Sequence, residues 1–149
     1  MRSPSRVRFA VVGAWTIGDV HARAIRGLPE AAELRLVVST REASARRLAE
    51  AQGATGWSTD YPAVLADPEI DAVSICTPSG THADLAVAAL RAGKHVMVEK
   101  PIDVSLEAAD RIIAAERASG VKVAVVSQHR FDPSTEQVVA AIQAGTSDG

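Results

Sequence analysis

Apolar positions along this chain follow two alternating rhythms. Short β-branched runs are each followed, after a few small or polar residues, by a longer stretch with apolar residues at helical spacing. Val7 to Val12 (VRFAVV) reads as a buried strand ending at Gly13, and Ile17 to Leu28 as a helix stopped before Pro29. The pattern then predicts a strand at Leu34 to Val38, a helix at Glu42 to Gln52 closed by Gly53, and a strand at Ala72 to Ile75. Beyond these come a helix at Ala83 to Arg91, a strand at Val96 to Val98, a helix at Leu106 to Ala118 and a strand at Lys122 to Val126. Asp132-Pro133 looks like an N-cap with proline at the first helical position, opening a last helix to about Ala144.

Strand and helix alternate with short links, which specifies an α/β fold: a Rossmann-type, doubly wound, mostly parallel sheet with helices on both faces. No segment repeats another residue by residue. Residues 1–5 read as a flexible lead-in, 6–131 as a dinucleotide-binding domain, and 132–149 as a helix and polar tail leading toward a substrate domain that lies beyond this sequence.

Composition narrows the class. The 149 residues suffice for one domain, 47% of them apolar and only 3% aromatic. Few aromatics and a net charge of −2 give no reason to expect a nucleic acid or an anionic membrane as partner. The apolar stretch after the basic N-terminus is too short for a signal peptide or a membrane span, and the one cysteine, Cys76, builds no disulfide. A cytoplasmic setting is expected.

Doubly wound sheets bind ligands at the carboxyl ends of their strands. The segments to search are therefore Gly13 to Gly18, Ser39 to Arg41, Cys76 to Thr81, Glu99 to Pro101 and Ser127 to Arg130, which includes Gln128. The first reads Gly13-Ala14-Trp15-Thr16-Ile17-Gly18. In the G-x-G-x-x-G fingerprint the first glycine makes the turn, the second admits the pyrophosphate and the third lets helix pack on strand. Here Trp15 holds the second place. Three readings stay open: the loop binds a dinucleotide with a shifted backbone, the indole blocks the phosphates, or it points harmlessly to solvent. A left-handed backbone at Trp15 would add a cost of roughly 1–2 kcal/mol.

At the second strand end an acid would accept hydrogen bonds from the adenosine ribose of NAD. Ser39, Thr40 and Arg41 stand there instead, which suits a 2′-phosphate and favours NADP over NAD. The plainer alternative makes Thr40 only the N-cap of the next helix and Arg41 a solvated residue. Thr81 and Asp84 make a plausible capping pair, and Cys76 is expected to be a small buried residue without reactivity.

Thr77-Pro78 with His82, Gly93-Lys94-His95-Val96 running into Glu99-Lys100-Pro101, Val20-His21-Ala22 after the glycine loop and Gln128-His129-Arg130-Phe131 together resemble the Gfo/Idh/MocA family, that of glucose–fructose oxidoreductase and inositol dehydrogenase. The resemblance runs from about Val7 to Gly145. It implies the cofactor-binding half of an NAD(P)-dependent oxidoreductase acting on a sugar, polyol or related alcohol. Thr77 and Pro78 would line the diphosphate and nicotinamide ribose, with His82 on the helix above. Glu99 and Lys100 would lie beside the nicotinamide as catalytic residues, and Lys100–Pro101 would be a cis peptide. It also implies that the general base and most substrate contacts lie in a further domain, so that the chain alone is inactive, and that surface left bare favours a homo-oligomer. The competing class is a non-catalytic module in which Trp15 fills the phosphate site and the fold serves packing or partner binding. A binder of another nucleotide is a weaker third.

Overall fold

The computed structural model describes residues 6–145, so the expected lead-in and the tail from Thr146 lie outside the described residues. Six parallel strands, β1 (Val7–Val12), β2 (Ala32–Val38), β3 (Gly56–Ser58), β4 (Ala72–Ile75), β5 (His95–Val98) and β6 (Val123–Val125), form one sheet in the order β3-β2-β1-β4-β5-β6. The helices are α1 (Thr16–Arg26), α2 (Glu42–Gln52), α3 (Tyr61–Ala66), α4 (His82–Arg91), α5 (Leu106–Ser119) and α6 (Pro133–Gln143). Strand order reverses between β1 and β4, so the chain opens a crevice at the carboxyl ends of those two strands.

Period-two alternation in β1 shows how both faces are covered. Ala10 and Val12 join Val73, Ile75, Leu90 and Ile112 on the α4–α5 side. Val11 between them packs with Ala22, Ile25 and Cys76 under α1. A strand buried on both sides cannot alternate with polar residues, which is why the sequence shows continuous apolar runs.

Two elements were not expected from the apolar pattern. β3 is three residues long and α3 six, both below the length at which periodicity is legible. A local signal for α3 was nonetheless present: the Asp60 carboxylate accepts the Ala63 N–H at 3.0 Å, and Pro62 sits in the first turn. The Thr81–Asp84 capping pair does not form. Thr81 Oγ1 donates locally, within reach of Pro78 O (2.7 Å) and Thr77 Oγ1 (2.8 Å), while the first turn of α4 is capped from outside by Asp103, which accepts the Ala83 N–H at 2.7 Å. Asp132 precedes α6 as expected, but its carboxylate pairs with His129 rather than capping the helix.

The amino ends of the strands carry a separate polar cluster. Arg8 on β1 grips Asp71, just before β4, through Nε and Nη2 at 2.8 Å each, and the Arg8 main-chain N–H adds a third contact at 2.8 Å. These bonds hold the Asp71 carboxyl below its ordinary range. A carboxyl with a depressed folded value stabilises above the unfolded pKa, and that contribution disappears as pH falls through the folded value. Asp71→Asn is therefore expected to lower the urea midpoint at pH 7, with the gap to the native chain closing as the pH is taken below about 3.9. A gap independent of pH would show that the ion pair is not its source.

Candidate active site

The glycine loop is shaped by contacts on both sides. Gly13 N–H donates to Val38 O at 2.8 Å, and its φ of +108° lies in the region that favours glycine. A Cβ at Gly13 would come within 2.5 Å of Cys76 O, and one at Gly18 within 1.8 Å of Gly13 O. These are the turn and helix-packing roles of the first and third fingerprint positions. Ala14 is buried against Val37, Leu48 and Ala49, so it turns its side chain away from the crevice.

Trp15 incurs no left-handed cost. Its φ of −105° and ψ of −169° are extended, and it is the N-cap of α1 with no side-chain cap. The indole is 68% exposed, and the Arg41 guanidinium lies over it with its central carbon 6.0 Å from the ring centroid. The first N–H groups of α1, at Thr16, Ile17 and Gly18, are thus left without a side-chain acceptor. The N-cap of α2 is Arg41 and not Thr40, and the Arg41 N–H donates to Ser39 Oγ at 3.3 Å.

Two clefts open at the carboxyl ends of the strands, one on each side of this loop. The larger, of about 350 Å³, is lined by Gly13, Trp15, Ser39, Thr40, Thr77 and Pro78, with Tyr61 and Leu85 at its back. The smaller, of about 200 Å³, is lined by Ile17, Cys76, Thr77, His82, Glu99, Lys100 and Gln128. Thr77 belongs to both. A wider open groove between α4 and α5 is lined by Leu90, Arg91 and Arg111 and lies on the helical layer, away from these strand ends.

The walls of the smaller cleft are tied together. His82 is almost wholly buried, its Nε2 2.9 Å from Thr77 O and its Nδ1 3.0 Å from Pro101 O, so the ring bridges the β4 loop and the turn after β5. The Lys100–Pro101 bond is cis. Lys100 is exposed at the cleft, and no ion pair or side-chain hydrogen bond engages its ammonium among the described residues. Burial pushes the Cys76 thiol up to about 12, which keeps it protonated and unreactive. Glu99 turns inward: Oε1 lies 3.0 Å from His21 Nε2, and Oε2 accepts the Lys100 N–H at 3.1 Å. His21 in turn sits 2.7 Å from the hydroxyl of Ser74. Ser74 was not singled out from the sequence, and His21 entered only within the Val20-His21-Ala22 stretch of the family resemblance; one lies mid-strand and the other mid-helix, where pattern reading assigns packing.

This fold with these paired clefts defines a dinucleotide-binding domain of the nicotinamide oxidoreductase type. The chain belongs to the Gfo/Idh/MocA oxidoreductase family, whose NAD-binding Rossmann fold matches residues 7–127. Inositol 2-dehydrogenase of Rhizobium meliloti (strain 1021) is 40% identical over 139 residues, covering 93% of this chain and 41% of that protein. The scyllo-inositol 2-dehydrogenase (NAD(+)) of Bacillus subtilis (strain 168) is 36% identical over 94% of this chain and 41% of its own length. Scyllo-inositol dehydrogenase from Lactobacillus casei, solved with NAD(H) and scyllo-inositol, superposes with a TM-score of 0.87 at 28% identity, over 95% of this chain and 42% of that one. The chain thus spans about two fifths of the length of these relatives. Among the described residues, no helix is long and apolar enough to cross a membrane.

Proposed function

We propose that this chain holds the cofactor for an NAD(P)-dependent oxidoreductase acting on a sugar, polyol or related alcohol, with a cyclic polyol of the inositol kind as the leading substrate class. The observation that carries this reading is the pair of clefts meeting at Thr77 across a glycine loop with no room for a Cβ at Gly13 or Gly18. A dinucleotide has two halves joined by a diphosphate. The uncapped start of α1 faces the join with its N–H groups and positive dipole end. The adenosine fits the larger cleft and the nicotinamide the smaller.

The bound nicotinamide supplies the hydride chemistry. What the chain supplies there is Lys100, whose unengaged ammonium is free to donate to the reacting oxygen and stabilise developing alkoxide. Glu99 orders the turn beneath it. Substrate contacts and the base that removes the alcohol proton belong to residues beyond this sequence, toward which α6 leads. α6 buries none of its residues and presents Val138, Val139 and Ile142 to solvent, a face that suits a following domain and the homo-oligomer this reading carries. The free thiol of Cys76 suits a reducing cytoplasm.

NADP(H) is the preferred cofactor in this reading, although the B. subtilis relative is an NAD(+) enzyme and the L. casei structure holds NAD(H). Ser39 and Thr40 line the larger cleft with their hydroxyls, and the Arg41 guanidinium lies beside it over the Trp15 ring. The position of Trp15, out at the rim beside Arg41, speaks against an indole plug in the phosphate site. Titrating the chain with NADPH and NADH by calorimetry tests all of this. NADPH is expected to bind tighter, and Arg41→Ala to weaken it about 10- to 100-fold while changing NADH little. Equal loss for both would sink the NADP preference. Binding of neither, restored by Trp15→Gly, would establish the blocked module instead.

A further inference from the structure

Three buried or half-buried polar side chains from three different elements meet directly beneath the smaller cleft: Ser74 from β4, His21 from α1 and Glu99 after β5. Polar groups are costly in the core of a parallel sheet unless each finds a partner. An ionised carboxylate only accepts hydrogen bonds. His21 Nε2 must therefore donate to Glu99 Oε1, and in the neutral ring this leaves Nδ1 to accept the Ser74 hydroxyl proton. The order resembles a nucleophilic triad, but Ser74 is fully buried in the middle of its strand and offers no access to a substrate. The chain of bonds ends elsewhere, at the second oxygen of Glu99, which accepts the main-chain N–H of Lys100.

We propose that His21 is a positioning residue for the Glu99–Lys100 turn: by fixing one carboxylate oxygen it aims the other at the Lys100 N–H, and so sets where the lysine side chain enters the cleft. The placement follows from the glycine loop. Gly18 lies one helical turn before His21 on the same face of α1, and with no side chain there α1 comes close enough to the sheet for the imidazole to span from β4 to the end of β5. Packing alone does not account for the residue, since an apolar side chain of similar volume would leave the Ser74 hydroxyl and Glu99 Oε1 without the partner that His21 gives them. This inference rests on the cofactor reading above for its effect on nicotinamide, but the turn itself can be read without ligand.

Two amides separate the ring's two contacts. In His21→Gln the amide reaches the place of Nε2 and can still donate to Glu99; in His21→Asn it reaches only the place of Nδ1, toward Ser74. Calorimetry with NADH and with ADP-ribose, which lacks the nicotinamide, measures the affinity gained from the smaller cleft. His21→Asn is expected to reduce that gain about tenfold and leave ADP-ribose binding unchanged, while His21→Gln keeps most of it. In ¹H–¹⁵N spectra of the unliganded chain, the Lys100 amide should shift in His21→Asn and stay near its native position in His21→Gln. Equal effects of the two variants on the gain and on the Lys100 amide would overturn the proposal. Should the native chain bind neither ligand, the cofactor reading falls, and the Lys100 amide alone decides the positioning role.

Discussion

Gly18→Ala is expected to cost the chain about 4 kcal/mol or more, most of the stability of an ordinary domain. The added Cβ would stand 1.8 Å from Gly13 O and 3.0 Å from Gly13 C, so the clash is with backbone and cannot be relieved by a rotamer change. To make room, α1 would have to lift from β1, opening the packing of Val11 with Ala22, Ile25 and Cys76. It would also draw His21 away from Ser74 and Glu99. Gly53→Ala is the control: its φ of +67° favours glycine, a preference that Gly18 inside α1 does not have, but nothing lies within 4 Å of the added atom, so it should lose only about 1–2 kcal/mol. Urea unfolding of both variants separates steric exclusion from loss of glycine flexibility. Equal midpoints would refute the close-approach account of Gly18.

The strands that were legible in advance were those whose burial on both faces writes a continuous apolar run, such as Val7–Val12 and Ala72–Ile75. β3 escaped because an edge strand of three residues, Gly-Trp-Ser, carries one apolar side chain and no period. At the site, the residues that act through main-chain shape were readable: Gly13 and Gly18 from their spacing, and the Lys100–Pro101 turn from its resemblance to a known family. For Trp15 the sequence leaves three readings open, because it gives the residue but not the rotation of its backbone; that backbone is extended, and the side chain is 68% exposed where it lines the larger cleft. The pairing of His21 with Ser74 was not legible for a different reason. Each lies in the middle of a regular element, and their shared purpose exists only once α1, β4 and β5 are brought together.

That same limit of pattern reading applies to two lysines six residues apart, and it makes their variants a sharp pair. Lys94 and Lys100 both fall in the stretch that carries the family resemblance, yet they stand at opposite ends of β5. Lys94 precedes the strand, is only 8% exposed, and donates from Nζ to Asp67 O at 2.7 Å and Ile70 O at 2.8 Å. It closes the turn leading into β4 from the amino edge, beside the Arg8–Asp71 pair. Lys94→Met keeps the length of the stem but leaves two carbonyls short of a charged donor, a loss of about 3 kcal/mol. The melting temperature should fall by roughly 10 °C for a domain of this size. NADPH affinity measured well below that transition should be unchanged, because the cofactor clefts lie at the carboxyl edge. Lys100→Met should show the reverse: an unaltered melting temperature, since no described residue leans on its ammonium, and weaker NADPH binding in the same titration, as the role proposed for it above requires. Doubly wound sheets place their ligand chemistry at the carboxyl ends of the strands, whereas Lys94 works at the other edge. A Lys94→Met chain that melts normally but binds NADPH poorly would break that division for this protein.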